Sequence, residues 1–281
     1  MKYFESENCK LVNADCLEFM KTMDDGCVSL TVTSPPYDNL RTYEGECDWN
    51  FDIFKNVANE LYRVTESGGV VVWVVGDSTV DGSETGSSFK QALYFKEIGF
   101  NIHDTMIWNK GSFAFPSKNC YHQVFEYMFV FSKGKPKAMN FIMDRENKYV
   151  CTRGASGRKR DGTRNTGTST VRNKYGKRFN IWNYPIGGGN SSSDKIAFEH
   201  PAIFPEGLAN DHIVTWSNVG DVIFDPFMGS GTTGKMALLN SRKFIGVDKV
   251  EKYYAISFER LVSNGLIYGP ADNISTQQII G

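Results

Sequence analysis

The chain has 281 residues, of which 41% are hydrophobic and 14% aromatic. This composition excludes a largely disordered protein and is sufficient for one large α/β domain with an insertion, or for two modest domains. No apolar run approaches the roughly 20 residues that span a bilayer, and the polar N-terminus is unlike a signal peptide, so we expect a cytoplasmic protein. The six cysteines are scattered without a CxxC pair, and we predict no metal site.

The formal net charge of −1 conceals a strong separation of charge along the chain. Residues Lys133–Arg178 contain 14 Lys or Arg and 3 acidic residues, whereas the remainder contains 17 basic and 29 acidic residues. A basic segment between acidic flanks is typical of phosphate binding, although solvated basic loops have the same composition.

The first half of the chain contains short, β-branched apolar runs bounded by Gly, Asp or Pro, which are typical of buried parallel strands. A helix over residues 53–64 is predicted from apolar side chains at helical spacing, and Gly68-Gly69 are expected to end it. A second helix is predicted near residues 89–98. The predicted strands of this half are Cys9–Val12, Val28–Thr33, Val70–Val75, Asn101–Trp108 and Val124–Phe131.

After Ser132 the composition changes to Gly, Ser, Thr, Asn, Arg and Lys, with Ile181-Trp182 as the main apolar interruption. Such a stretch is not expected in a compact sheet core. We therefore predict a basic target-recognition insertion over residues 133–195, ordered by a partner, between the two parts of a catalytic domain at residues 1–132 and 196–281.

Core character returns at Ile196. The predicted elements are a strand at Asp221–Phe224, a helix at Thr232–Leu239, a strand at Lys243–Val247 and an amphipathic helix at Val250–Leu261. Because strands alternate with helices at both ends of the chain, the sequence predicts an α/β fold with a doubly wound, mainly parallel sheet.

A glycine-rich segment, DPFMGSGTTG over residues 225–234, follows one predicted strand and opens a helix. Glycines at such a turn let a ligand approach the backbone. The run Gly229 to Lys235 also satisfies GxxxxGK, but Met236 stands where a triphosphate-binding loop needs a Ser or Thr hydroxyl for magnesium. The missing hydroxyl therefore makes triphosphate binding the less favoured interpretation of this segment.

Asp248 ends the next predicted strand, about 20 residues after the glycines. An acidic side chain there can accept hydrogen bonds from both hydroxyls of a ribose, which suits an adenosine-containing cofactor. It can also cap the helix that begins near Val250.

Ser34-Pro35-Pro36-Tyr37 follows the strand Val28–Thr33 directly, at the carboxyl end where α/β sheets place ligands. Two prolines make the backbone rigid and remove two N–H donors, leaving carbonyl groups and a hydroxyl beside an aromatic ring. Such a pocket suits a flat, hydrogen-bonding base.

Together, Ser-Pro-Pro-Tyr and the later Phe-x-Gly-x-Gly pattern resemble the amino-methylating DNA methyltransferases of the β group, in which the catalytic motif precedes the cofactor motif. Asn13-Ala14-Asp15 is similar to the family's acidic strand end, and the segment from His200 is similar to its His/Lys-Pro segment. The resemblance implies a seven-stranded Rossmann-like sheet and S-adenosylmethionine as cofactor.

The resemblance also implies roles for individual residues. The expected catalytic residues are Ser34, Pro35, Pro36 and Tyr37. The expected cofactor-binding residues are Asp15, His200, Pro201, Phe204, Asp225, Phe227, Gly229, Gly231, Thr232 and Asp248. The expected DNA contacts come from the basic insertion and are drawn from Arg153, Arg158, Lys159, Arg160, Arg164, Arg172, Lys174, Lys177 and Arg178.

The reaction that the resemblance implies is methylation of an exocyclic amine after the base is flipped out of double-stranded DNA. Methylation at carbon 5 of cytosine needs a cysteine nucleophile, usually in a Pro-Cys pair, and the chain has no Pro-Cys. Ser34 favours N4 of cytosine, because Asp or Asn is commoner at this position in the adenine-N6 enzymes.

The sequence alone leaves other interpretations of the function open. N6 of adenine is the alternative target, RNA or protein glutamine an alternative substrate, and a catalytically lapsed DNA-binding module the alternative from another class. A cognate restriction endonuclease and a monomeric or homodimeric state are both compatible with the resemblance.

Overall fold

The computed structural model describes residues 2–36, 49–113, 120–148, 158–163, 173–187, 189–203 and 205–268. The chain forms two compact units, one of Met1–Asn140 with Asn180–Gly281 and one of Phe141–Phe179. Within the described ranges, no helix is both long and apolar enough to cross a membrane.

The larger unit is built on one nine-stranded sheet. Its strands are β1 (Lys2–Glu5), β2 (Cys9–Asn13), β3 (Val28–Thr33), β4 (Thr65–Val75), β5 (Asn101–Asn109), β6 (Phe125–Ser132), β7 (Ile181–Asn183), β8 (Val222–Asp225) and β9 (Lys243–Asp248). Their spatial order is β1-β2-β9-β8-β3-β4-β6-β5-β7, and β2, β9, β8, β3 and β4 are mutually parallel. The predicted doubly wound, mainly parallel sheet is confirmed.

Within the residues that the structure describes, six α-helices cover the two faces of this sheet. They are α1 (Cys16–Met20), α2 (Phe51–Val64), α3 (Ser87–Glu97), α4 (Glu206–Trp216), α5 (Thr232–Leu239) and α6 (Glu251–Ser263), and a short 3-10 helix spans Lys195–Glu199. Strand β4 shows how one strand serves both layers, since successive side chains point to opposite faces. Val70, Val72 and Val74 pack in the core with α4 and α5, whereas Val71 and Trp73 pack in the core with α2 and α3.

The sheet has two more strands than the seven predicted, and both lie at its edges. Strand β1 pairs antiparallel with β2, and β7 pairs parallel with β5. The expectation that Ile181-Trp182 lies outside the sheet core is wrong. These residues form the three-residue strand β7, which is held by hydrogen bonds to β5, and Trp182 is buried. Residues 180–195 accordingly belong to the larger unit.

The sequence predicted that Gly68 and Gly69 end α2, and this prediction is wrong. The helix ends at Val64, and β4 begins at Thr65 and runs through both glycines. Gly68 has a left-handed φ of +85°, and a Cβ on Gly69 would lie 3.0 Å from the Ser29 carbonyl oxygen. Glycine is therefore needed for the close approach of β4 to β3, where the register shifts, rather than for a helix stop.

The smaller unit contains a two-stranded antiparallel ribbon of Arg145–Glu146 and Tyr175–Gly176. Further hydrogen bonds extend it, from the Asn147 N–H to the Lys174 carbonyl at 2.9 Å and from Arg145 Nε to the Lys177 carbonyl at 2.9 Å.

Candidate active site

Four adjacent parallel strands, β2, β9, β8 and β3, end at the same edge of the sheet. Asn13 at the end of β2 pairs with Asp248 at the end of β9, while Asp225 ends β8 and Thr33 ends β3. Because ligands of open α/β sheets bind outside the carboxyl ends of the strands, this edge is the candidate active site.

The predicted catalytic motif begins where β3 stops. Pro35 is buried, and Ser34 and Pro36 are partly buried. Thr33, which precedes Ser34, donates a hydrogen bond from Oγ1 to Asp225 Oδ1 at 2.6 Å. This bond joins the last residue of β3 to the glycine-rich segment, 192 residues later in the sequence. The fourth predicted catalytic residue, Tyr37, lies outside the described residues.

The glycine-rich turn has the conformation that its sequence predicts. Gly229 and Gly231 have left-handed φ angles of +49° and +76°, and Gly231 is the N-cap of α5. A Cβ on Gly229 would lie 2.9 Å from His200 Nε2, and one on Gly231 would lie 2.9 Å from the Ser257 Cβ. Both positions therefore require glycine, because the turn is left-handed and its surroundings leave no space for a side chain.

Asp248 receives two backbone hydrogen bonds. The Gly229 N–H donates to Oδ2 at 2.9 Å, and the Val250 N–H donates to Oδ1 at 2.8 Å. Burial raises the pKa of Asp248 to about 6, against the opposing effect of these two bonds, so the carboxylate is largely ionised at neutral pH. Each carboxylate oxygen retains a second lone pair, so holding the turn is compatible with accepting ribose hydroxyls.

Asp225 lies deeper and is fully enclosed, with an exposure of 1%. Besides the bond from Thr33, it accepts one from the Phe227 N–H at 3.1 Å. Burial raises the pKa of Asp225 to about 7, although hydrogen bonds from Thr33 and Thr233 lower it. The side chain is thus a hydrogen-bonded link between β3 and the turn.

An aromatic cluster lies beside this link. Phe227, in the turn, packs edge-to-face against Trp49 with ring centroids 5.3 Å apart and against Trp73 at 6.3 Å. Trp73 is fully buried in β4, so the turn is anchored to the sheet core through Phe227.

His200 also lies against the turn, next to Gly229. Its ring is 8% exposed and packs on Tyr253 of α6 with centroids 4.2 Å apart. The Ala202 N–H donates a hydrogen bond to Nδ1 at 3.1 Å. Pro201 follows His200 directly, and Phe204 lies outside the described residues.

Asp15, predicted to face the cofactor, is the N-cap of α1. Its Oδ1 accepts hydrogen bonds from the Leu17 N–H at 2.9 Å and the Glu18 N–H at 3.2 Å. The preceding Asn13 donates from Nδ2 to the Asp248 carbonyl at 2.9 Å, which ties the end of β2 to the end of β9. Asp15 is exposed at the same edge as Asp248, and its cofactor contact stays a prediction.

Lys235 argues against a phosphate-binding loop. Its Nζ donates to Asp194 Oδ2 at 2.8 Å, to Glu206 Oε1 at 3.0 Å and to Ser193 Oγ at 3.2 Å, and the side chain is buried. An ammonium group has three donors, and these contacts occupy all three. The GxxxxGK match therefore has a structural explanation that involves no phosphate.

A functional candidate that the sequence did not reveal, Arg260, contacts the same two carboxylates as Lys235. Arg260 is fully buried in α6 and contacts Asp194, Glu206 and the glycine-rich turn. The only sequence signal was an arginine on the apolar face of an amphipathic helix, which does not reveal its partners.

An adenosine-containing cofactor fits the described residues. The left-handed turn has no side chains at Gly229 and Gly231, and its Gly229 N–H donates a hydrogen bond to the Asp248 carboxylate. The partly buried Phe227 ring supplies an apolar surface, and Thr232 begins the helix that follows. These features are the ones that a nucleoside needs: close backbone approach, a hydroxyl acceptor and an aromatic contact.

The predicted DNA contacts lie in the smaller unit. Arg158, Lys159, Arg160, Lys174 and Lys177 are exposed there. Arg178 instead forms an ion pair with Asp144, which reduces its availability for phosphate. The other three predicted contacts, Arg153, Arg164 and Arg172, lie outside the described residues.

Comparison with known proteins gives consistent similarities. The profile of a family described as DNA methylase, named for both N6 and N4 methylases, matches residues 28–259. The orphan methyltransferase M.BamHII of Bacillus amyloliquefaciens is 58% identical over 245 residues, which cover 86% of this chain and 91% of that protein.

Two solved structures share the fold. The PvuII DNA methyltransferase, described as cytosine-N4-specific, has a TM-score of 0.69 at 22% identity and covers 98% of this chain and 91% of its own. The complex of M1.HpyAVI with S-adenosylmethionine has a TM-score of 0.60 at 22% identity and covers 90% of this chain and 98% of its own.

Proposed function

Because this chain belongs to the DNA methylase family, we propose that it transfers a methyl group from S-adenosylmethionine to the exocyclic N4 amine of cytosine in double-stranded DNA. The hydrogen bond from Thr33 to Asp225 carries this proposal, since it joins the strand that presents Ser34 to the glycine-rich turn. A base-binding motif beside a nucleoside-binding turn is the arrangement that methyl transfer between two bound substrates requires.

Base binding is the task of the residues that follow β3. The lone pair of an exocyclic amine is delocalised into the ring, so the site must favour a localised lone pair. The Ser34 hydroxyl and the Pro35 carbonyl would hydrogen-bond the edge of a flipped base and its amino hydrogens, and Tyr37 would stack on it. The buried Pro35 makes this arrangement rigid.

Cofactor binding is the task of the other strand ends. When bound, S-adenosylmethionine supplies a methyl group activated by a sulfonium. The Asp248 carboxylate would accept the ribose hydroxyls beside the left-handed turn that Gly229 and Gly231 form. The amine loses its proton only after methyl transfer, so the site needs no strong general base.

Ser34 is the observation that favours cytosine. A neutral hydroxyl can donate to the ring acceptor beside the amine and also accept from the amine, whereas an ionised aspartate can only accept. The PvuII enzyme, described as cytosine-N4-specific, shares the fold over 98% of this chain. Adenine offers a similar acceptor beside its amine, so N6 of adenine is the second candidate.

DNA would be held by the part of the predicted basic insertion that forms the smaller compact unit, Phe141–Phe179, which we propose as the target-recognition region. The exposed cations of this unit support this proposal, because phosphate contacts require accessible Lys or Arg side chains. A cognate restriction endonuclease would recognise the same sequence as the methyltransferase.

The deciding experiment identifies the modified base. Unmethylated DNA is incubated with the protein and with S-adenosylmethionine carrying a deuterated methyl group, then digested and analysed by mass spectrometry. We expect deuterated N4-methylcytosine. Deuterated N6-methyladenine would establish the second candidate, and the absence of both from DNA of varied sequence would overturn the proposal. A parallel incubation with RNA tests the alternative nucleic acid.

A further inference from the structure

A cluster of two buried cations and two partly buried carboxylates lies beside the glycine-rich turn. Arg260 of α6 and Lys235 of α5 contribute the positive charges, and Asp194 and Glu206 the negative ones. Arg260 is 0% exposed and Lys235 is 5% exposed. Both cations contact both carboxylates. Because the two positive charges equal the two negative ones, the cluster is electrically neutral.

Burial alone would raise the pKa values of Asp194 and Glu206, but their hydrogen bonds keep both below the ordinary range. Lys235 and Arg260 donate to each of them, and Ser192 also donates to Glu206. Both carboxyl groups are therefore ionised at neutral pH. Buried ion clusters often contribute little net stability, because desolvation offsets the attraction, so stability alone is a weak reason for this one.

The Arg260 guanidinium divides its contacts between two segments. One terminal nitrogen donates to the Ser230 carbonyl at 2.8 Å and the Thr232 hydroxyl at 3.0 Å, both in the glycine-rich turn. The other terminal nitrogen donates to Ser192 Oγ at 3.0 Å and Glu206 Oε1 at 2.6 Å. Nε donates to Asp194 Oδ2 at 2.7 Å.

The second group of contacts holds the part of the chain that carries His200. We call residues 192–203 the His200 segment. Ser192 and Asp194 begin it, and Glu206 starts α4 shortly after it. On α6, Tyr253 lies seven residues before Arg260 and so on the same face, and its ring packs against His200. His200 in turn lies so close to Gly229 that a Cβ there would clash with its ring.

We propose that Arg260 is a positioning residue that holds the His200 segment against the glycine-rich turn, and that this contact sets the affinity for the adenosine-containing cofactor. The inference rests on the proposed function, because it takes the turn and His200 as parts of the cofactor site. Lys235, which follows the turn in α5, also holds the segment through Ser193, Asp194 and Glu206, but only Arg260 donates hydrogen bonds to the turn itself as well as to the segment. A lysine at position 260 would have three donors on one nitrogen, whereas the guanidinium has five donors spread over three nitrogens that face both sides.

The test compares two Arg→Lys variants. Arg260→Lys keeps the buried charge but loses the forked contacts. Arg242→Lys is the matched control, because Arg242 is 9% exposed and donates to Ser217 and Asn240 at the opposite, amino-terminal edge of β9. The dissociation constant of S-adenosylhomocysteine is measured by titration calorimetry, together with the unfolding temperature.

We expect Arg260→Lys to weaken binding of S-adenosylhomocysteine about tenfold, the effect of losing one hydrogen bond to a charged group. KM for S-adenosylmethionine should rise by a similar factor with little change in kcat, since Arg260 does not touch the reacting atoms. Arg242→Lys should lower the unfolding temperature but change affinity less than about twofold, which is below the contribution of one such bond.

Equal affinity of Arg260→Lys and wild type would overturn the inference, as would equal weakening by both variants. If Arg260→Lys does not fold, Ser192→Ala decides, because it removes one contact of Arg260 without changing charge, and unchanged affinity would again refute the inference. Failure of the wild-type protein to bind S-adenosylhomocysteine would overturn the proposed function and this inference together.

Discussion

Replacing Asp248 by Asn separates the role of this side chain in stability from its role in cofactor binding. The change keeps the shape of the side chain but removes its negative charge and replaces one acceptor oxygen with an NH2 donor. Two backbone N–H groups, those of Gly229 and Val250, donate to the carboxylate. One of them loses its acceptor in the variant, which costs about 1–3 kcal/mol.

The loss of charge acts in the opposite direction. Burial raises the pKa of Asp248 from its ordinary value of 3.8 to about 6, which disfavours the ionised form by about 3 kcal/mol. Asn removes this penalty at neutral pH. We therefore expect the free energy of unfolding at neutral pH to stay unchanged or to rise by up to about 3 kcal/mol, because the raised pKa already includes the two backbone hydrogen bonds.

Cofactor affinity should fall even though stability does not. The variant loses charge-assisted hydrogen bonds to ribose hydroxyls, which contribute about 1.5–3 kcal/mol, so we expect binding of S-adenosylhomocysteine to weaken about 10- to 150-fold. Titration calorimetry measures the affinity and chemical denaturation the stability. The control is Asp221→Asn, since Asp221 accepts a bond from the Asn218 N–H just before β8, at the opposite edge of the sheet. Wild-type affinity in Asp248→Asn would refute the assigned role.

The pH dependence of the wild type has opposite signs for affinity and stability. Affinity should fall as the pH drops below about 6, because protonated Asp248 loses charge and an acceptor. Since the pKa in the folded state is raised, the contribution of Asp248 to stability should increase over the same pH range, down to its ordinary pKa. Asp248→Asn should show neither dependence on this group.

Further substitutions test the other parts of the site. Ser34→Ala should lower turnover about 100-fold with cofactor affinity unchanged, because only base positioning is lost; equal loss of affinity would contradict this. Gly229→Ala should weaken cofactor binding, since its Cβ would meet His200 at 2.9 Å, whereas Gly134→Ala, also left-handed but with open space, should not. DNA affinity should fall about 10³-fold between 50 and 200 mM salt, and Lys159→Gln should reduce the salt slope by about 1; a flat salt profile would exclude a basic DNA-binding surface.

Local patterns were sufficient to predict most of the fold. Strand β3 and helix α5 have the predicted bounds, and the other core strands differ by a few residues. Apolar runs between turn residues are informative because a buried parallel strand must be apolar on both faces. Both site motifs were predicted for a related reason, since glycine and proline restrict the backbone wherever they occur.

The sequence by itself thus determined the sheet class, the two motifs and the family resemblance. Only the tertiary structure decided that Lys235 binds carboxylates, that Arg260 bridges two segments and that Ile181–Asn183 forms an edge strand. Each of these features depends on partners far away in the chain, such as Asp194 for Arg260 and β5 for β7. A buried charge or a three-residue strand is stable only through such partners, so no local pattern predicts it.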